Sequence, residues 1–290
     1  MKTYDLMTVG AISKDHNIVL GREEVMYGGG ATNAAFAAVN SGSTVAVVTK
    51  LAAADRPSLQ PLKAAGIDVY ARPSSQTTSI KNVYTTPDLD RRTCSMLAMA
   101  DPFQIDDFPG QVKAQVYHIA ALIAGEVPLE VINYLAAQGS VGLDVQGFVR
   151  QAVGSDLISK DWMSKADVLP TIRFLKADAA EAEILTGETN REHAIHALAA
   201  LGAQEIMLTH SSGVMAYAAG KIYHAPFKAR NLSGRTGRGD TCFAAYLTQR
   251  LQTSPAQALK YAAALTSLKM ETPGPFRGTV QDVEALLATY

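Results

Sequence analysis

The sequence has few cysteines and no cluster of charges of one sign. Its two cysteines among 290 residues, Cys94 and Cys242, form no CxxC or Cys/His array, which argues against a disulfide scaffold and favours a reducing compartment. The formal net charge is −1, and there is no long run of Lys or Arg, so no nucleic-acid-binding surface is predicted. Small anionic ligands stay compatible with this composition, because local geometry rather than net charge binds them.

The sequence also lacks a long apolar segment. Its longest apolar run, near residues 116–124, is too short to span a bilayer and contains His118. At the N-terminus, Asp5 interrupts the stretch that would be apolar in a signal peptide, and no small-residue cleavage site follows. We therefore expect a cytoplasmic protein that does not associate with membranes.

What the sequence does contain is a regular alternation of two patterns. Short β-branched runs predict buried strands at residues 44–50, 116–119, 141–145 and 205–209. Ala/Leu-rich stretches between them predict helices at residues 129–138, 191–201 and 255–270, with a surface helix at 279–289. This alternation predicts an α/β fold, a doubly wound and mostly parallel central sheet with helices on both faces. We expect residues 1–290 to form a single domain.

One region departs from this alternation. Residues 71–98 contain a predicted β-hairpin, with strands at 79–86 and 92–98 joined by a turn at 87–90. Together with part of 13–27, this region is a candidate β lid over an active site. An edge extension of the sheet or a dimer contact is the alternative, and a homodimer through the lid is one possible assembly.

A glycine-rich segment precedes the predicted helix that contains Asp240. Residues 236–240 read Thr-Gly-Arg-Gly-Asp, and the two glycines allow a tight turn and a close approach to a ligand. The helix start offers free N–H groups and the positive end of the helix dipole, which favour a phosphate. The carboxylate of Asp240 beside such a site can accept a proton from a hydroxyl group. A simple N-cap is the alternative interpretation.

A second glycine run, residues 28–30, leads into Asn33. It lacks the third glycine of a dinucleotide-binding motif, and no acidic residue ends a strand about twenty positions later, so NAD binding is not predicted. Glycine backbone next to the Asn33 side chain could bind a polar substrate. The alternative interpretation is that the glycines only form a turn between a helix and a strand.

A third segment places Asp178 and Glu181 three residues apart at the start of a helix that Gly187 ends. The two carboxylates share one helix face, where they can organise a hydrated Mg²⁺ ion. A capping box without a metal is the alternative.

The order and spacing of these segments resemble the PfkB, or ribokinase-like, family of carbohydrate kinases along nearly the whole chain. Residues 9–15 resemble the family's first strand, and residues 144–150 resemble its central Asp-containing strand end. The pair Asp178 and Glu181 is similar to the family's Asn-x-x-Glu motif. Residues 236–240 resemble its Thr-Gly-Ala-Gly-Asp signature, the most specific of the set, and residues 274–276 fall where the family has a loop beside adenine.

The resemblance implies roles for the matching residues. Asp240 is the expected catalytic base, and the expected anion hole consists of Gly237, Arg238 and Gly239. The residues expected to hold substrate hydroxyls are Ser13, Asp15, Gly29, Gly30 and Asn33. The residues expected at the nucleotide are Asp178, Thr209, Ser211, Gly213 and Gly274. Glu181 is expected to position Mg²⁺, largely through water.

Three positions depart from the family pattern. Arg238 stands in place of an Ala, which puts a charged side chain next to the phosphoryl path. Gly234 stands where ribokinase has an Asp near its monovalent-cation site, so we do not expect potassium activation. Asp178 replaces an Asn and adds a negative charge beside a polyphosphate. We expect a metal ion to compensate this additional negative charge.

The sequence thus predicts an ATP- and Mg²⁺-dependent kinase that phosphorylates a hydroxyl group of a small polyol, with a sugar as the first expectation. A nucleoside or inositol acceptor is the alternative within the family, and a nucleoside would need an apolar pocket from a residue such as Tyr84 or Phe103. A non-catalytic sugar or nucleotide sensor on the same fold is the alternative outside it. The departures at Arg238 and Gly234 leave this alternative open, whereas Asp240 and the two glycine runs count against it.

Overall fold

The computed structural model describes residues 2–84 and 92–290. The strands are β1 (Lys2–Val9), β2 (Ser13–Val19), β3 (Arg22–Gly28), β4 (Val45–Leu51), β5 (Asp68–Pro73), β6 (Ser79–Tyr84), β7 (Arg92–Ala98), β8 (Val112–Ile119), β9 (Ser140–Asp144), β10 (Arg150–Val153), β11 (Asp156–Ser159), β12 (Phe174–Asp178), β13 (Glu205–His210), β14 (Gly213–Ala218) and β15 (Lys221–Pro226). The helices are α1 (Gly30–Asn40), α2 (Gln60–Ala64), α3 (Leu129–Ala136), α4 (Gln146–Val149), α5 (Lys165–Val168), α6 (Ala179–Thr186), α7 (Arg191–Ala200), α8 (Arg238–Gln249), α9 (Pro255–Met270) and α10 (Val280–Leu287).

The central sheet has nine strands in the order β15-β14-β13-β12-β9-β8-β1-β4-β5. Strands β13, β12, β9, β8, β1, β4 and β5 run parallel, and β14 and β15 form an antiparallel edge. Parallel strands need crossover connections, and here helices supply most of them and cover both faces. The predicted α/β fold with a mostly parallel central sheet is confirmed.

Strand β4 shows why the sheet is buried on both faces. Val45 and Val47 belong to a core formed with α1, α8 and α9, whereas Ala46 and Val48 belong to a second core formed with α3, α6 and α7. Successive side chains of a strand point to opposite faces, so a continuous apolar run fills both cores. In the described parts of the chain, no helix combines the length and the apolar character that a membrane span requires.

The boundaries of α9 follow directly from local sequence. The Ser254 side chain accepts a hydrogen bond from the Gln257 N–H, the Gln257 side chain binds back to the Ser254 N–H, and Pro255 occupies the first helical position. The prediction of a helix at 255–270 is therefore confirmed to the residue. Cys242 is fully buried in α8.

A second sheet of six strands, order β10-β11-β7-β6-β2-β3, forms the candidate lid. Strands β6 and β7 pair antiparallel, which confirms the predicted hairpin strands over 79–84 and 92–98. Residues 85–86 of the first predicted strand and the predicted turn at 87–90 lie outside the described residues. Strands β10 and β11 were not predicted, and residues 71–73 lie in β5 of the central sheet. The lid role and the homodimer stay predictions.

The parallel strands of the central sheet place their carboxyl ends at one edge. Strands β1, β8, β9, β12 and β13 all lead into this edge, and helices α1, α6 and α8 begin there. In open α/β sheets, ligands bind at this edge, where loops and helix N-termini meet. The candidate site residues from all three sequence segments converge here.

Candidate active site

The two glycine-rich segments, distant in sequence, meet at the first turn of α8. Asn33 donates a hydrogen bond from Nδ2 to Asp240 Oδ2 over 3.5 Å. A Cβ atom on Gly30 would lie 2.9 Å from Asp240 Oδ1, and one on Gly237 would collide with the Asn33 side chain. Gly237, at φ 79°, also has a left-handed conformation that favours glycine. The glycines are therefore needed for the carboxylate of Asp240 and the N-terminus of α1 to approach each other.

A buried lysine lies beneath this turn. The Lys176 ammonium, on β12, is 3.0 Å from Asp144 Oδ1 and 3.4 Å from Glu181 Oε2. A Cβ atom on Gly239 would lie 3.2 Å from Lys176 Nζ, which places this charge directly under the expected anion hole. Burial alone would lower the pKa of Lys176, but the Asp144 and Glu181 carboxylates outweigh it and raise the pKa, so the side chain stays charged.

The protonation of Asp240 reflects the same surroundings. Burial raises the pKa of Asp240 above its ordinary value, and the positive charges of Lys176 and Lys269 offset part of that rise. A carboxylate with a raised pKa is a stronger proton acceptor than a solvated one, and the nearby cations keep it available in its ionised form. This combination is suited to general-base chemistry on a hydroxyl group.

Next to Asp240 lies a polar cleft of about 380 Å³. Its lining residues come from the sheet edge, the lid and the start of α8: Tyr84, Gln146, Lys176, Asp178, Thr209, Arg235, Thr236, Gly237, Arg238, Gly239 and Asp240. Three of these side chains are cationic and two, Asp178 and Asp240, are carboxylates, and the N-terminus of α8 adds free N–H groups and the positive end of its dipole. The cleft therefore has the charge and the donors to bind a phosphate group.

Arg238 reaches from the first turn of α8 towards the β13–β14 hairpin. Its guanidinium carbon lies 5.7 Å from the centroid of the Phe227 ring. The Phe227 N–H donates to the Ser212 carbonyl over 2.9 Å, so this ring lies beside the turn between β13 and β14. The long side chain that replaces the family's Ala thus fills space between α8 and the hairpin.

The cleft contains only part of the expected nucleotide site. Asp178 and Thr209 line it, whereas Ser211, Gly213 and Gly274 are absent from its lining. Ser211 is exposed in the turn after β13, and Gly274 has a positive φ of 86° with open space around it. Two of the five residues expected at the nucleotide therefore line the cleft, the other three lie outside its lining, and the binding role of all five stays a prediction.

The expected substrate residues lie where the second sheet joins α1. Ser13 begins β2 and is 1% exposed, and its Oγ has no hydrogen-bond partner among the residues that the structure describes. A Cβ atom on Gly29 would lie 3.3 Å from this Oγ, so glycine backbone without a side chain lies next to the Ser13 hydroxyl. Asp15 follows on β2, and its Oδ2 lies near Gly28. Ser13 and Asp15 thus lie together at the start of β2, beside the glycine run, and their contact with a substrate stays a prediction.

Asp178 and Glu181 form a reciprocal capping box at the start of α6. Asp178 Oδ1 accepts from the Glu181 N–H over 2.8 Å, and Glu181 Oε2 accepts from the Asp178 N–H over 2.7 Å. Burial raises the pKa of Glu181 to about 7. Within residues 2–84 and 92–290, no three His, Cys, Asp or Glu side chains cluster as a metal site. The two carboxylates therefore form the capping box that was the alternative interpretation, and a role of the pair in positioning Mg²⁺ stays a prediction.

Comparisons with known proteins agree with this geometry. The model of the pfkB family of carbohydrate kinases matches residues 3–280. A pyrophosphate-dependent kinase of the ribokinase family, solved with a pyrophosphate analogue and myo-inositol, is 36% identical and covers 97% of this chain and 99% of its own, with a TM-score of 0.88. Arabidopsis thaliana ribokinase, solved with ribose and ATP, is 18% identical at a TM-score of 0.75, with 99% of both chains covered. No curated protein matched the sequence.

The fold is that of ribokinase, and the chain belongs to the pfkB family of carbohydrate kinases. It is a kinase of the class that acts on sugars and polyols. The family assignment made from the sequence is confirmed.

Proposed function

We propose that this protein transfers a phosphoryl group from inorganic pyrophosphate to a hydroxyl group of a cyclic polyol of the inositol type. The observation that carries the proposal is the position of Arg238, whose guanidinium occupies the side of the cleft towards Phe227 and adds a third cation beside Lys176 and Arg235. The 36% identical kinase, whose chain is matched almost completely, is described as pyrophosphate-dependent and was solved with myo-inositol.

The charge and the size of the cleft suit pyrophosphate as the donor. Pyrophosphate is compact and carries its negative charge without a nucleoside, so it needs several cations and no base pocket. Arginine binds phosphate oxygens through a planar pair of N–H donors, which makes it a stronger partner for a small anion than an Ala could be. ATP, the donor expected from the sequence, would place its nucleoside near Ser211 and Gly274, outside the cleft.

The polar groups around Asp240 suit an acceptor that has several hydroxyl groups. Ser13 Oγ and the Asn33 amide are hydrogen-bonding groups suited to an acceptor with several hydroxyls. Of the two aromatic residues considered for a nucleoside base, Phe103 is buried in the core near Lys50, and Tyr84 lines the phosphate cleft. The described surroundings thus favour a polyol over a nucleoside.

In the proposed reaction, the acceptor oxygen attacks the terminal phosphorus of pyrophosphate. A new O–P bond forms, the bridging P–O bond breaks, and inorganic phosphate leaves with the electron pair. Asp240 takes the hydroxyl proton, while the first N–H groups of α8 and the charges of Lys176 and Arg238 stabilise the phosphoryl oxygens. Mg²⁺, positioned through Asp178 and Glu181, would neutralise donor charge when it is bound.

The raised pKa of Asp240 predicts a pH dependence. As pH falls through this pKa, the base becomes protonated, and kcat/KM should decline. Because the pKa is raised, the decline should begin at a higher pH than the ordinary aspartate value of 3.8 implies. Rate measurements between pH 4 and 9 at saturating Mg²⁺ test this, with the donor's own titration measured in parallel. A flat profile down to about pH 4, near the model-peptide value for Asp, would contradict it.

The donor assignment predicts a selective effect of Arg238→Ala. Loss of charge-assisted hydrogen bonds worth roughly 1.5–3 kcal/mol should lower kcat/KM for pyrophosphate by about 10- to 100-fold. The rate with ATP should stay unchanged or rise, because the guanidinium no longer fills the space beside Phe227. Steady-state kinetics with both donors and myo-inositol measure this. Lys221→Ala, which removes an exposed cation from the start of β15, is the control. An equal loss with both donors would count against the assignment.

A further inference from the structure

A second buried lysine, Lys269, contacts the loop that leads into α8. Lys269 lies in the last turn of α9 and is 2% exposed. Its ammonium donates hydrogen bonds to the backbone carbonyl oxygens of Gly234 and Thr236. One cation thus bridges two carbonyl groups in the three residues that precede Gly237, the N-cap of α8.

The same loop is fixed against the end of α9 by its backbone. The Gly234 N–H donates to the Met270 carbonyl over 2.7 Å, and a Cβ atom on Gly234 would overlap the Thr272 carbonyl oxygen. No side chain therefore fits at position 234 to contribute a carboxylate. Instead, the positive charge next to the two carbonyl oxygens is that of the Lys269 ammonium, which donates a hydrogen bond to each of them.

The contacts of Lys269 match those of a bound monovalent cation. Backbone carbonyl oxygens are the ligands that replace water around potassium in proteins, and an ammonium group has the same charge and a similar size. Burial lowers the pKa of Lys269 to about 8, and the Asp240 carboxylate acts in the opposite direction. The ammonium form therefore prevails at neutral pH.

We propose that Lys269 is a built-in monovalent cation, a positioning residue whose ammonium holds the loop 234–236 and thereby the N-terminus of α8 and Asp240. The protein consequently needs no added potassium. The kinetic test rests on the phosphotransferase activity proposed above, but the inference does not depend on which donor or acceptor is used.

Chemical rescue tests this inference. The wild type should have the same turnover in tetramethylammonium chloride and in potassium or ammonium chloride. Lys269→Ala should lose about 10²-fold in tetramethylammonium, the scale of a misplaced catalytic group. Added ammonium or potassium ions should enter the vacated space and restore at least a tenth of the lost rate. Lys269→Met, whose side chain keeps that space filled, should lose as much and gain nothing from either ion.

Three outcomes would overturn the inference: potassium activation of the wild type, normal turnover of Lys269→Ala in tetramethylammonium, or equal rescue of both variants. A readout without turnover keeps the inference separate from the proposed reaction. Ammonium should raise the melting temperature of Lys269→Ala more than that of the wild type or of Lys269→Met. If no donor and acceptor pair reacts, this shift still supports the cation role, and its absence still refutes it.

Discussion

Asp240→Asn is expected to lower turnover by roughly 10²–10⁴-fold, the usual contribution of a general base. Asparagine has nearly the same shape as aspartate, so it can keep the contact with Asn33 and the close approach to Gly30. It cannot accept the proton of the attacking hydroxyl. Binding of pyrophosphate should persist or tighten, because a negative charge beside the anion site is removed. Initial rates and calorimetric titrations with pyrophosphate measure the two effects.

Asp282→Asn is a matched control for this variant. Asp282 is also an aspartate in the first turn of a helix, α10, and its carboxylate accepts from the Thr279 N–H. It is not part of the cleft lining, so its replacement should leave turnover unchanged. Near-normal turnover of Asp240→Asn would remove Asp240 from the mechanism.

Lys176→Met is expected to cost about 3–5 kcal/mol of unfolding free energy, because it leaves buried carboxylates without their cation. Asp144 and Glu181 would each lose the ion pair with Lys176. In a chain of this size, that loss corresponds to a melting temperature lower by on the order of 10 °C. Thermal unfolding at pH 8 measures it, and Lys113→Met, at an exposed position of β8, is the control.

The pH dependence identifies the cause of this loss. Without Lys176, the folded-state pKa values of Asp144 and Glu181 rise further above those of the unfolded chain. Stability is then lost as pH rises, so the deficit relative to the wild type should be larger at pH 8 than at pH 5. Adding Asp144→Asn to Lys176→Met should recover part of it. A deficit independent of pH and of Asp144 would indicate lost packing rather than unpaired charge.

Most of the fold could be predicted from local patterns. Apolar runs buried on both faces mark the parallel strands, and the cap at Ser254 and Pro255 defines the start of α9. Strands β10 and β11 could not be predicted, because each has four residues and only their pairing with each other and with β7 identifies them. Pairing between distant segments has no signature in a single short run of sequence.

The site residues likewise divide into those that the sequence indicates and those that only the structure identifies. Asp240 and Asn33 stand beside glycine runs, which are visible in the sequence. Lys176 and Lys269 were missed, because each is a lysine in a mostly apolar element and its role depends on partners elsewhere in the chain. An isolated lysine in an otherwise buried strand or helix was the available signal. Arg238 was recognised as a departure, but its position against Phe227 needed the structure.

Phosphorus-31 NMR of one reaction tests the central claim most directly. Wild-type protein with Mg²⁺, pyrophosphate and myo-inositol should produce a phosphate monoester and inorganic phosphate in equal amounts. The product should be absent without myo-inositol, formed at least about 100-fold more slowly with Asp240→Asn, and formed much more slowly from ATP. Ester formation from ATP with pyrophosphate inert would contradict the proposed donor. Binding of pyrophosphate and inositol with no ester from either donor would contradict the proposed kinase and favour a sensor.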